Sequence, residues 1–88
     1  METRMALIRA RLEHGLQPER LEIIDETHKH VGHVGATPDR GHFCVTIVSE
    51  RFRHVSSLQR HRLVYETLGD LMRTDIHALS IKALAPGE

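Results

Sequence analysis

The chain alternates between helical and extended hydrophobic periods. Residues 3–14 place Met5, Ile8 and Leu12 three and four positions apart, with Arg4, Arg9, Arg11 and Glu13 on the other faces, which predicts an amphipathic helix. Gly15 is its expected stop, and Pro18 marks the following turn. Residues 20–26 (RLEIIDE) carry Ile23 and Ile24 among polar positions and read as a short strand. Residues 42–49 (HFCVTIVS) are nearly continuous and β-branched, as expected of a central strand. From Ser56 to Arg73 the period is helical again: Leu58, His61, Tyr65, Leu68 and Met72 form one stripe, widened by Val64 and Leu71, with Ser56 or Ser57 as N-cap. After Asp75 the chain alternates, with His77, Leu79, Ile81 and Ala83 on one face and Ala78, Ser80 and Lys82 on the other, until Pro86. This order predicts an α+β sandwich with helices packed on one face of a three-stranded sheet.

Composition narrows the possible chemistry. A chain of 88 residues has room for one compact core. Lysine plus arginine and aspartate plus glutamate number 12 each, so no bulk field draws the chain to nucleic acid or an anionic membrane. The single cysteine, Cys44, excludes an intramolecular disulfide and a Cys₄ metal site built from this chain alone. Two Phe, one Tyr and no Trp supply a poor stacking platform for single-stranded nucleic acid. The first residues carry Glu2, Arg4, Arg9 and Arg11 with no long apolar run, so neither a signal peptide nor a membrane span is expected, and the default location is cytoplasmic. The unusual count is eight histidines, which make neutrality conditional on pH because they gain charge near pH ~6.5. Several lie in or beside residues 27–41 (THKHVGHVGATPDRG), a connection too long for a tight hairpin.

Four runs, IIDETHKH (23–30), HFCVTIVSERF (42–52), QRHRLVYETLGDLM (59–72) and IHALSIKA (76–83), closely resemble the BolA family over nearly the whole chain. Arg60-His61-Arg62 opening a helix and Ile76-His77-Ala78 opening a strand are specific in combination. The resemblance implies one BolA-like domain over residues 1–88, with an αββααβ fold similar to the class II KH domain and a short helical turn near residues 53–58. It also implies a non-enzymatic partnership with a monothiol glutaredoxin in iron–sulfur cluster trafficking and, in bacteria, a role in transcription and cell shape under stress. Two departures stand out. Where the family commonly has a glycine after the Arg-Phe pair, this chain has Arg53-His54-Val55, so the backbone there is less able to approach a partner closely. The loop between the first two strands has no cysteine, which makes this the family's histidine type and leaves Cys44 unmatched to any ligand.

A [2Fe–2S] cluster needs four ligands, and two histidines can replace two thiolates on one iron. The resemblance implies that a glutaredoxin cysteine and a bound glutathione supply the thiolates, so the cluster would be shared and none would belong to the isolated chain, which is expected to be monomeric. His77 matches the family's invariant histidine and is the first ligand candidate; the alternative is a partly buried histidine bonded to a nearby carbonyl. The second ligand is expected from the loop, where His28, His30, His33 and His42 are available. His30 is favoured, His42 follows closely, and exchange between them stays open. A solvated histidine loop that captures divalent metals adventitiously is the alternative. Cys44 is expected as a small buried hydrophobe in the central strand. Asp25 and Glu26 are expected to be solvated or paired with Lys29. A rival function rests on Arg51, Arg53, Arg60 and Arg62, four cations near a helix N-terminus with no acid between them, which suit DNA phosphates. A solvated basic face or an acidic partner explains them equally, and the GxxG loop of true KH domains is absent.

Overall fold

Apolar side chains from three helices and three strands meet over one face of a mixed sheet in the computed structural model, which describes residues 3–27 and 40–88. The order is α1 (Arg4–Leu16), β1 (Arg20–Asp25), β2 (Gly41–Val48), a 3-10 turn (Glu50–Phe52), α2 (Ser57–Leu68), α3 (Leu71–Thr74) and β3 (Ile76–Leu84). The sheet runs β1-β2-β3. β1 pairs antiparallel with β2 from Arg20↔Val48 to Asp25↔Phe43, while β2 pairs parallel with β3 from Gly41↔Ile76 to Val48↔Leu84. A parallel pair needs a long crossover, and α2 and α3 provide it.

Strand β2 alternates strictly: Phe43, Val45 and Ile47 are buried, whereas His42, Cys44, Thr46 and Val48 are only partly covered. The first set faces Ile8, Leu12 and Leu16 of α1, Val64 and Leu68 of α2, and Phe52 of the 3-10 turn. The second set lies on the face turned away from the helices, with exposed Glu22, Ile24, Ser80 and Lys82. The α+β sandwich expected from the periods is therefore the observed fold.

Several details differ from expectation. Gly15 does not stop α1; the helix continues to Leu16 and ends at Gln17 in the left-handed region (φ 45°), whose N–H bonds Glu13 O at 3.1 Å. Gly15 is instead where α1 meets α2, since a Cβ there would stand 2.5 Å from Thr67 Cγ2. That contact lies on the Thr67 side of α2 and places Val64 and Leu68 inward. Leu58 and Tyr65 of the expected stripe are then 62% and 42% exposed. The single helix expected over 56–73 is broken at Gly69, where φ of +54° suits a residue without Cβ, and restarts as α3. Ser56 is the N-cap, its Oγ accepting from Gln59 N at 3.2 Å. The short helical element implied near 53–58 lies at Glu50–Phe52. Just beyond it, His54 adopts φ of 63°, so the departure from glycine falls on a backbone position that glycine favours.

Candidate metal centre

The parallel pairing of β2 and β3 brings their first residues to the same end of the sheet. The register there skips a residue: Gly41 faces Ile76, but His42 faces Ala78. His77 is the extra residue of a β-bulge, a device that re-aims one side chain locally. Ile76 enters the core, whereas His77 is exposed, so it leaves the Leu79–Ile81–Ala83 row to which simple alternation assigns it. Its ring lies beside that of His42, with centroids 5.0 Å apart and planes tilted by 54°. The structure thus juxtaposes two of the three candidate ligand residues. His30, like His28 and His33, lies outside the described residues.

The backbone of His42 is held from both sides. Its N–H donates to Thr27 Oγ1 at 3.1 Å and its carbonyl accepts from Glu26 N at 2.8 Å. Thr27 is in turn tied to Asp25 Oδ1 through both its N–H and its hydroxyl. The Nε2 atom of His42 is buried. His77 Nδ1 lies 3.0 Å from a terminal nitrogen of Arg40, whose other terminal nitrogen donates to Arg73 O at 3.1 Å. Hydrophobic periodicity gave no signal for this arginine, because it stands in irregular backbone just before β2.

Cys44 corrects the expectation of a core thiol. It lies on the helix-free face and donates from Sγ to Glu26 Oε1 at 3.1 Å. Asp25 and Glu26 therefore have hydroxyl and thiol partners, while Lys29 lies outside the described residues. Among the described residues no group of three or more His, Cys, Asp or Glu side chains could hold a metal ion. His42 and His77 offer two nitrogen donors of the kind that iron and zinc take, which is half of what a four-coordinate site would need. Completing it requires ligands from elsewhere.

The four arginines differ sharply. Arg60 lies over the Phe52 ring at 6.0 Å and donates to Val55 O (2.8 Å), Ala83 O (3.0 Å) and both carboxylate oxygens of Glu88; its side chain is 13% exposed. Glu88 is held well down, to a pKa of about 2, first by the hydrogen bond from Arg60 and then by the Ala85 N–H. Arg53 forms three bonds to Glu50 and one to Pro86 O. The same contact lowers the pKa of Glu50 and raises that of Arg53. Arg51 donates to Gln17 Oε1, and Arg62 is exposed with no hydrogen bond or ion pair among the described residues. The expected acid-free basic segment thus acquires acids from just before it and from the far C-terminal side.

Comparison with known proteins matches residues 12–88 to the family described as BolA-like protein. The chain belongs to the BolA-like family. It is 45% identical over 83 residues to mouse BolA-like protein 1, covering 94% of this chain and 58% of that protein. It is 39% identical over 79 residues to the Escherichia coli DNA-binding transcriptional regulator BolA, covering 85% and 72%. Among solved structures, the BolA domain of SufE1 from Arabidopsis thaliana superposes with a TM-score of 0.85 at 40% identity, covering 98% of this chain and 95% of that one. This BolA-like chain therefore spans little more than half of its mouse relative and nearly all of the excised plant domain.

Proposed function

We propose that this BolA-like chain is a non-enzymatic cytoplasmic adaptor that binds a monothiol glutaredoxin and contributes histidine ligands to a shared [2Fe–2S] cluster. The observation that carries this reading is the pairing of the His42 and His77 rings, 5.0 Å apart on the helix-free side of the sheet rim. Family membership supports it, and so does the donor count: two imidazoles leave two positions for thiolates from the partner's cysteine and glutathione. The bulge presents His77 outward, and the bonds through Glu26 and Thr27 hold the backbone of His42. His30 remains a candidate for the same role as His42. Among the described residues no helix is long and apolar enough to cross a membrane.

Anaerobic reconstitution with a monothiol glutaredoxin and glutathione tests the proposal. Adding the chain is expected to change the visible absorption and circular dichroism of the glutaredoxin cluster, and His77→Ala is expected to abolish the change. An unaltered spectrum, or a His77→Ala variant that matches wild type, would defeat it.

A second reading, a DNA-binding regulator, is supported by the similarity to the Escherichia coli DNA-binding transcriptional regulator BolA. Arg62 is the arginine best placed for phosphate contact, since Arg53 and Arg60 have carboxylate partners. Fluorescence anisotropy against salt discriminates between the readings, because each neutralised phosphate steepens the salt slope. Weak binding with a flat slope, unchanged in Arg62→Ala, counts against DNA binding.

A further inference from the structure

We propose that Arg40 is a latch on His77: its guanidinium occupies the ring's one available lone pair and must swing away before His77 can bind a metal ion or cluster. The inference rests on the reading of His77 as a ligand and adds a competitor for it.

Donor and acceptor counts fix the tautomer of His77. A guanidinium has N–H donors and no acceptor. Its contact with His77 Nδ1 at 3.0 Å therefore makes Nδ1 the acceptor and leaves the ring proton of the neutral imidazole on Nε2. In that tautomer no ring lone pair is free. A metal that takes Nδ1 displaces the arginine directly. A metal that takes Nε2 requires the ring proton on Nδ1, which then cannot accept from Arg40. Both routes break the same hydrogen bond.

The usual supporting partner of a metal-bound histidine is an acceptor, such as a carboxylate or carbonyl, which receives the N–H of the second ring nitrogen. Arg40 cannot fill that role, so it opposes ligation rather than orienting the ring for it. The latch is also only partly anchored. One terminal nitrogen is held by Arg73 O at 3.1 Å, while the buried Nε has no hydrogen-bond partner among the described residues. A buried donor without an acceptor is a standing desolvation penalty, and hydration on release would relieve it.

Two measurements on the full chain test the latch. Long-range ¹H–¹⁵N NMR of the metal-free protein should show His77 with an unprotonated Nδ1 and a protonated Nε2, a preference lost in Arg40→Ala. Co²⁺ titration followed by visible absorption should show about tenfold tighter binding in Arg40→Ala, on the order of one charge-assisted hydrogen bond. Arg73→Gln removes a nearby exposed cation while sparing the contact, and should change affinity less than about twofold. A wild-type ring protonated at Nδ1, no tightening in Arg40→Ala, or equal tightening in both variants would overturn the latch. His77→Ala separates the two failures. Weakened Co²⁺ binding there, with no gain in Arg40→Ala, rejects the latch alone; unchanged binding rejects His77 as a ligand even if the NMR tautomer is as expected.

Discussion

The two ends of β3 carry polar clusters of opposite kinds, roughly 20 Å apart at about 3.3 Å per residue. At the far end, Arg60 uses four of its five N–H donors: two carbonyls and a bidentate carboxylate accept from it, and an aromatic face lies beneath it. At the near end, His77 is exposed on a bulge, held by one arginine and flanked by one ring. A side chain whose hydrogen-bonding capacity is consumed by its own fold is architecture. One whose capacity is held by a single displaceable neighbour is available for chemistry. Residue type does not make that distinction, since arginine and histidine were both plausible site residues in the bare sequence; the count of partners does.

The Arg60 end is the more sensitive of the two to substitution. Phe52→Ala removes a fully buried ring beneath Arg60 and is expected to cost about 3–5 kcal/mol, read by denaturant unfolding. A loss under about 1 kcal/mol would mean that the far end is not a packed unit. Among the four arginines, Arg60→Ala should lower the unfolding midpoint most, because it strands carbonyls and a carboxylate, while Arg62→Ala should leave the midpoint in place. Equal effects would erase the contrast.

Acid should dissect the same cluster. The Glu88 pKa is depressed in the folded state, so its contribution is fully present above its unfolded value of 4.5 and is lost as pH falls from there towards about 2. Glu88→Gln should flatten that part of the stability–pH curve; an identical acid limb in wild type and variant would contradict the assignment. His54→Gly should gain about 0.5–1 kcal/mol by relieving a left-handed histidine beside the far end. A destabilised variant would show that the side chain, not the backbone, sets that turn. The smallest expected effect is at the near end: His77→Ala should change stability by less than about 0.5 kcal/mol while removing the proposed ligand. A large loss would move His77 into the architectural class.

Much of the fold was legible because its signals are local. The periods of α1 and α2, the β-branched run of β2, the alternation beyond Asp75 and the Ser56 cap all act within a few residues. What the sequence left unread is non-local. Gly15 has the look of a helix stop, and only the approach of Thr67, across more than fifty residues, makes it a contact point. Glu88 returns to Arg60 from beyond β3. Cys44 follows the β2 alternation, yet its assignment to the core needed to know which face the helices cover. His77 and His42 were candidates through family resemblance; their meeting on the outer side depended on a register shift that period-two reading cannot see. Arg40 carried no signal until its contact with His77 was visible.

The register shift also bears on how this surface can be altered. Residue 77 is supernumerary to the strand: a chain with it deleted would pair Ala78 next after Ile76 and keep Leu79, Ile81 and Ala83 in register with β2. The candidate ligand therefore stands outside the one-to-one pairing of β3 with β2. Changes at this position can be explored one residue at a time, by substitution or by removal, with the hydrophobic rows on either side left as they are.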